Sequence, residues 1–167
     1  MTDTYFVVAH LHYVLFGGSM FGIFAGLFYW WPKMFGRMLD ERLGKAFFWL
    51  LFVGFNLTFL PQHMLGLLGM PRRIWTYQHH GLWEAYNLIS TVGSGLMGIA
   101  ILLFVANVWL THGLRKGKRV GNDPWLADTL EWYTTSPPPL HNFDHVPYVT
   151  SARPLRDLRR RLAEELP

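Results

Sequence analysis

The stretch YFVVAHLHYVLFGGSMFGIFAGLFYWW, residues 5–31, indicates a membrane helix. It carries no acidic residue, lysine or arginine and runs for about 27 residues, which is enough to cross a bilayer as a tilted helix. Two histidines, His10 and His12, stand inside it one residue apart. Because successive residues of an α-helix turn by about 100°, these imidazoles leave the helix about 200° apart, on opposite faces. They cannot easily share one metal, but each could hold a cofactor of its own, with the helix as the wall between them.

The composition of the chain favours a membrane protein. Of its 167 residues 51% are hydrophobic and 17% are aromatic, and residues 5–112 hold most of the apolar ones. That part is too apolar for a soluble core of this size. The net charge of +4 is typical of the cytoplasmic flanks of membrane helices rather than of a nucleic-acid footprint, so no nucleic-acid partner is expected. The chain has no cysteine, which excludes thiolate metal sites within it and leaves histidine as the natural ligand for a soft metal.

Three segments are long and apolar enough to span a bilayer. The spans are predicted at about 4–31, 46–68 and 82–110. They divide the chain into a three-helix transmembrane segment, residues 1–112, and a proline-rich and basic tail, residues 113–167.

Local signals refine these spans. Asp3 or Thr4 is expected to cap the first helix, and Pro32 to stand just past its end. In the third span, small residues such as Gly93 favour a close approach of two helices. In the tail, residues 151–167 (SARPLRDLRRRLAEELP) predict a short amphipathic helix.

The distribution of basic residues gives an orientation. Loop 32–45 and the start of the tail are rich in lysine and arginine, so the positive-inside rule places both in the cytoplasm. Loop 69–81 and the beginning of the first helix are then external, and His10 lies about 9 Å below the outer end of that helix. Arg72 and Arg73 stand in the outer loop against the charge rule. Adjacent guanidinium groups are well suited to bind carboxylates or propionates on the side where the histidines lie.

The other histidines are weaker candidates for ligands. His63 is predicted to be a hydrogen-bonded structural residue, and His79 and His80 are expected to face the solvent. The remaining ones lie at or beyond the cytoplasmic end: His112, His141 and His145.

Three stretches of the chain resemble one protein family. They are TDTYFVVAHLHYVLFGG (residues 2–18), FLPQHMLGLLGMPRR (residues 59–73) and TLEWYTTSPPPLHNFDHVPYV (residues 129–149). They are similar to the C-terminal part of subunit I of the haem–copper oxidases of the cytochrome c oxidase type, and the similarity covers essentially the whole chain. The resemblance implies an all-α membrane protein, in which the three spans are the last three of a twelve-helix bundle, followed by an irregular C-terminal tail. It also implies a multi-pass protein of a bacterial plasma membrane.

The same resemblance gives each candidate site residue a role. His10 corresponds to the catalytic position, the proximal ligand of the high-spin haem iron, and His12 to one axial ligand of the low-spin haem iron. Arg72 and Arg73 correspond to the partners of haem propionates, so all four residues are expected to bind cofactor.

Two positions depart from the family pattern. Asp3 corresponds to an acidic residue at an outer magnesium site, but Thr2 stands where the family usually has a histidine. Leu11, between the two candidate ligands, replaces an aromatic residue that is common in the family. Asp3 is therefore carried over only as a candidate magnesium ligand.

The implied function is that of the catalytic subunit of a terminal respiratory oxidase. Such an enzyme reduces dioxygen to water with electrons from cytochrome c and couples this reaction to proton translocation. The implied cofactors are haem a in low-spin and high-spin sites, copper B held by residues outside this chain, and magnesium. The implied partners are the rest of subunit I, subunits II and III, cytochrome c and the lipid bilayer.

Two alternatives to this function remain open at the level of sequence. One is a quinol oxidase of the same superfamily, and the other is a non-enzymatic three-helix membrane protein that serves as a haem-binding anchor or assembly factor. The copper ligands and the second axial histidine of the low-spin haem are absent from this chain, so the isolated chain is expected to be inactive. This absence favours a fragment of a longer polypeptide over a dedicated split subunit.

Overall fold

The computed structural model of the chain describes residues 1–77, 81–145 and 147–165. The expectation for His79 and His80 lies outside these residues. The described part is helical, with two isolated antiparallel bridges and no extended strand. Three helices are long and apolar enough to cross a membrane: Tyr5–Phe35, Glu41–Leu67 and Gly81–Gly113. This agrees with the predicted all-α class and with its three spans.

The first span is a continuous succession of three helical segments. α1 covers Tyr5–His12, a π-helical segment follows at Tyr13–Met20, and α2 covers Phe21–Phe35. Thr4 is extended, and its side-chain oxygen accepts a hydrogen bond from the backbone N–H of Phe6, as expected of a helix N-cap. The π-helical segment was not expected from the sequence, and such segments occur in membrane proteins and elsewhere near functional sites.

The first span ends later than predicted. Pro32 lies inside α2 rather than past its end, and the helix continues to Phe35. The stop is Gly36, which has a φ of +65° and donates its backbone N–H to the carbonyl of Pro32 at 2.8 Å. Lys33 stabilises this last turn, because its buried Nζ donates to the backbone carbonyl of Thr134 at 2.7 Å. The proline is therefore tolerated within the helix, and the glycine ends it.

The second and third spans also extend beyond their apolar cores. α3 covers Glu41–Leu67 and so begins about five residues before the predicted start, because its polar first turn is helical although it is not hydrophobic. α4 covers Gly81–Val108 and continues as a π-helical turn at Trp109–Gly113. A hydropathy pattern detects only the part of a helix that lies in the hydrocarbon, so it misses these polar ends.

Glycines allow α3 to pack closely against both the first span and α4. A Cβ atom added at Gly66 of α3 would lie 2.1 Å from the backbone N of Phe6 in α1. A Cβ atom added at Gly93 of α4 would lie 2.5 Å from the backbone N of Thr58 in α3. Beside this second contact, the Ser90 hydroxyl donates to the Thr58 carbonyl at 2.8 Å. Gly93 and Ser90 of the third span thus make the close approach that the sequence predicted for its small residues, whereas a Cβ atom added at Gly95 or Gly98 would meet nothing within 4 Å among the described residues.

The chain forms two compact units. The first contains Met1–Gly26 and Glu41–Asn107, and the second contains Leu27–Asp40 and Val108–Pro167. In the second unit, the tail forms a short 3-10 helix at Leu130–Trp132 and ends in α5, residues Pro154–Glu165. The latter is the amphipathic helix that the sequence predicted.

An aromatic cluster around the buried Trp132 packs within the second unit. The Trp132 side chain is 1% exposed, and its indole stacks on that of Trp30 with the ring centroids 5.3 Å apart. The indole Nε1–H of Trp132 donates to the Tyr29 hydroxyl at 3.0 Å. The Lys33 ammonium lies 5.1 Å from the centroid of the Trp132 ring, within the range of a cation–π interaction.

Candidate functional site

The imidazole of His12, the last residue of α1, is held at two points. Its Nδ1 lies 2.7 Å from the carbonyl oxygen of Val8, one turn earlier in the helix. One face of the ring stacks on the Phe59 ring of α3, with centroids 4.3 Å apart and planes 14° from parallel. If Nδ1 donates to the carbonyl, the proton is fixed on that nitrogen and the lone pair is on Nε2. This is the arrangement that a metal-ligating histidine adopts.

An apolar groove lies beside His12. Its volume is about 460 Å³. The residues that line it come from α1 and the π-helical segment: Leu11, His12, Leu15, Phe16, Ser19 and Met20. An apolar groove that contains one nitrogen ligand suits a flat hydrophobic macrocycle better than a hydrated ion.

His10 stands two residues earlier on α1 and is exposed. Ala9, next to it, is completely buried. The α-helical geometry of Tyr5–His12 separates the directions of His10 and His12 by about 200°. The two imidazoles therefore do not converge on one ion.

The wider surroundings of the histidines fit a cofactor that brings its own ligands. Within residues 1–77, 81–145 and 147–165, no three histidine, cysteine, aspartate or glutamate side chains come together as a metal site. A single imidazole holds a metal tightly only when the metal's other ligands come from elsewhere, as the four porphyrin nitrogens do for haem iron. The donor set thus fits haem, with one imidazole for each iron.

The loop after α3 is fastened to the beginning of α1. The backbone N–H of Tyr5 donates to the Met70 carbonyl, and that of Arg72 donates to the Asp3 carbonyl, both at 3.0 Å. The guanidinium Nη2 of Arg72 also lies 3.0 Å from Asp3 Oδ1. The described part of the loop, residues 69–77, therefore lies at the end of α1 where the sequence placed it.

The two arginines of this loop differ in conformation and contacts. Arg72 forms the ion pair with Asp3, whose side chain is 88% exposed. A guanidinium has five N–H donors, so this pair leaves Arg72 with capacity for a further anion. Arg73 is exposed and has a φ of +63°, a left-handed conformation that residues other than glycine seldom adopt outside turns and functional sites. The propionate roles of both arginines and the magnesium role of Asp3 stay predictions.

His63 has the structural role that the sequence predicted. Its Nδ1 lies 3.1 Å from the Phe59 carbonyl oxygen, one turn earlier in α3. Its ring packs edge-on against the rings of Phe6 and Tyr13, at centroid distances of 5.1 and 5.3 Å. It therefore serves as a packing residue between α3 and the first span.

The sequence did not reveal two neighbours of the histidines. Phe59 stacks on His12 although 47 residues separate them in the chain. The Tyr13 hydroxyl donates to Asn56 Oδ1 at 2.8 Å and so links the residue after His12 to α3. The only signal in the sequence was weak: Asn56 is a polar side chain in the middle of a span, which usually has a partner in a neighbouring helix.

Comparisons with known proteins point to one protein family. The family model described as Cytochrome C and Quinol oxidase polypeptide I matches residues 1–96. Cytochrome c oxidase subunit 1 of Alkalihalophilus pseudofirmus is 54% identical over 154 residues, which are 92% of this chain and 24% of that protein. The subunit 1 of Bacillus sp. strain PS3 is 54% identical over 148 residues, 88% of this chain and 24% of the relative. The subunit 1 of Bacillus subtilis is 52% identical over 154 residues, which are 92% of this chain and 24% of that protein.

The chain spans about a quarter of the length of these curated relatives. Its three apolar helices and its bacterial relatives make it a multi-pass membrane protein. The match to the family model covers more than half of the chain and includes the helix with both histidines, Arg72 and Arg73. The chain belongs to the family of polypeptide I of the cytochrome c and quinol oxidases.

Proposed function

We propose that this chain is the haem-ligating C-terminal part of subunit I of a terminal respiratory oxidase. The whole enzyme reduces dioxygen to water with electrons from cytochrome c and couples the reaction to proton translocation. The observation that carries this proposal is the pair His10 and His12 on one membrane helix, with Nδ1 of His12 bonded to a backbone carbonyl and Nε2 available. The identity of 52–54% to proteins named cytochrome c oxidase subunit 1 supports the same function.

In this proposal the two imidazoles have different partners. His10 would hold the iron of the high-spin haem, and His12 would hold the iron of the low-spin haem. Haem a held by these residues would supply one-electron transfer and, at the high-spin site, binding of dioxygen. α1 itself separates the two sites, so the path between them crosses a single helix.

The loop after α3 binds the propionates. The backbone of Arg72 is hydrogen-bonded to Asp3, just before α1 begins, and Arg73 is the next residue of the loop. Guanidinium groups pair with carboxylates in a bidentate manner. Asp3 is the candidate for an outer magnesium ion, in competition with its ion pair to Arg72. Copper B is held by residues of subunit I outside this chain.

The topology follows from the same proposal. Residues 1–112 form the transmembrane segment, and residues 113–167 together with loop 32–45 face the cytoplasm. The partners are the rest of subunit I, subunits II and III, cytochrome c and the bilayer. The isolated chain is inactive, because it lacks the copper ligands and the second axial histidine.

A quinol oxidase is the second candidate function. The description of the matching family includes quinol oxidases. The names of the relatives favour cytochrome c as the donor. A non-enzymatic haem-binding anchor or assembly factor is disfavoured by the same names.

Substitution of each histidine tests the proposed function in the assembled oxidase that contains this chain. We expect His10→Ala to abolish the optical and EPR signals of the high-spin haem and to leave those of the low-spin haem. His12→Ala should remove the low-spin signals. His141→Ala, at an exposed histidine of the tail, is the control and should leave both unchanged. Full oxygen consumption by the His10→Ala enzyme would refute the assignment.

A further inference from the structure

The Phe59 side chain is the only described aromatic group whose ring stacks on a candidate haem ligand. The hydrogen bond from Nδ1 to Val8 holds one edge of the His12 imidazole. A single edge contact leaves the torsion about the Cβ–Cγ bond poorly defined, because this torsion has a broad energy minimum in histidine. The parallel Phe59 face, 4.3 Å away, blocks rotation on one side. Two contacts of different kinds thus fix the plane of the ring.

Phe59 itself is held firmly. It is 8% exposed, and its ring packs against Phe55 of the same helix at a centroid distance of 5.2 Å and against Phe16 of the first span at 6.4 Å. The neighbouring Thr58 is 6% exposed and accepts the hydrogen bond from Ser90 of α4 through its carbonyl. Phe59 therefore contacts the first span through its ring, and the backbone next to it is hydrogen-bonded to α4. Close packing thus restricts the movement of the ring that stacks on His12.

We propose that Phe59 is a positioning residue that sets the orientation of the His12 imidazole plane and thereby tunes the low-spin haem site. This inference rests on the proposed role of His12 as an axial ligand. The orientation of an axial imidazole about the metal–nitrogen bond determines the overlap of its π orbitals with the iron d orbitals. This overlap affects the g-anisotropy and the reduction potential of the iron, which also respond to other groups around the ligand.

The test compares variants that lose the aromatic face with one that retains it. In Phe59→Leu and Phe59→Met the side chain stays apolar and of similar bulk, so the core is filled but nothing flat faces His12. Phe59→Tyr retains the flat face. Phe47→Leu is the matched control, since Phe47 is 3% exposed, lies in α3 and is about 18 Å away along the helix axis.

The measurement is the low-spin EPR spectrum and the midpoint potential of the assembled oxidase, normalised to its low-spin haem content. We expect Leu and Met at position 59 to shift the low-spin g-values beyond the wild-type line width and to displace the midpoint potential. The high-spin signal should stay unchanged. Phe59→Tyr and Phe47→Leu should both retain the wild-type low-spin g-values and midpoint potential.

Two results would overturn the proposal. One is a wild-type EPR spectrum and potential in both Phe59→Leu and Phe59→Met. The other is an equal displacement in Phe47→Leu, which would mean that any loss of core packing has this effect. The His12→Ala variant tests the proposed function separately. If the low-spin signal persists in that variant, His12 is not a ligand of the low-spin haem, whatever the Phe59 variants show.

Discussion

A histidine in a membrane span becomes a useful ligand when one ring nitrogen is occupied and the other is free. His12 meets this condition through Val8, which accepts from Nδ1. His63 also forms a hydrogen bond with a backbone carbonyl. Two aromatic rings pack against its imidazole, so His63 serves as a packing residue. The sequence predicted the structural role of His63 correctly. The ligand role that the i, i+2 spacing indicates for His12 stays a prediction. The sequence did not identify Phe59, because the packing of α1 on α3 creates that contact.

The Tyr13–Asn56 hydrogen bond leads to a prediction at the residue scale. Tyr13 donates to Asn56 at 2.8 Å, and both side chains lie within spans. Hydrogen bonds between membrane helices contribute about 0.6 kcal/mol on average in double-mutant cycles. We expect a coupling free energy of about that size between Tyr13→Phe and Asn56→Leu, measured by unfolding of the oxidase in detergent. A coupling of zero would show that the pair does not hold α1 against α3.

The elements show which sequence signals suffice to place a helix and which do not. The apolar runs located all three spans, and the structure shows that Thr4, one of the two cap candidates, caps the first helix. The end of the first span was predicted wrongly, because Pro32 is a weaker stop than a glycine with positive φ such as Gly36. The π-helical segment at Tyr13–Met20 has no comparable signature in the sequence.

The contact at Gly66 leads to a prediction at the scale of helix packing. A methyl group at this position would lie 2.1 Å from the Phe6 backbone, and α1 and α3 would have to separate to accommodate it. We expect Gly66→Ala to lower the free energy of unfolding by at least the roughly 1–3 kcal/mol that is typical of overpacking, and to reduce haem content. Thermal unfolding in detergent and the optical spectrum measure both effects.

Gly18→Ala is the matched control for this variant. Gly18 lies in the first span, and an added Cβ atom would have nothing within 4 Å among the described residues. Its substitution should leave the haem content close to that of the wild type. Unchanged stability and haem content in Gly66→Ala would contradict the close packing of α1 on α3.

At the scale of the whole molecule, the family was predictable and the complete site was not. Short motifs such as GMPRR and AHLHY indicated the family because they place histidines and arginines at fixed spacings. Large apolar side chains of the spans are exposed, as expected for surfaces that meet lipid or further helices of a bundle: Leu15, Leu88, Leu102 and Val105. The chain spans about a quarter of the length of its relatives.

The most direct test of the central claim is an experimental structure of the assembled oxidase, with the iron positions located by anomalous scattering or in a high-resolution map. The account predicts that Nε2 of His10 and Nε2 of His12 each bond an iron of a separate haem, and that these two haems lie on opposite sides of α1. A structure in which both imidazoles face the same side of the helix, or in which either one bonds no iron, would contradict it.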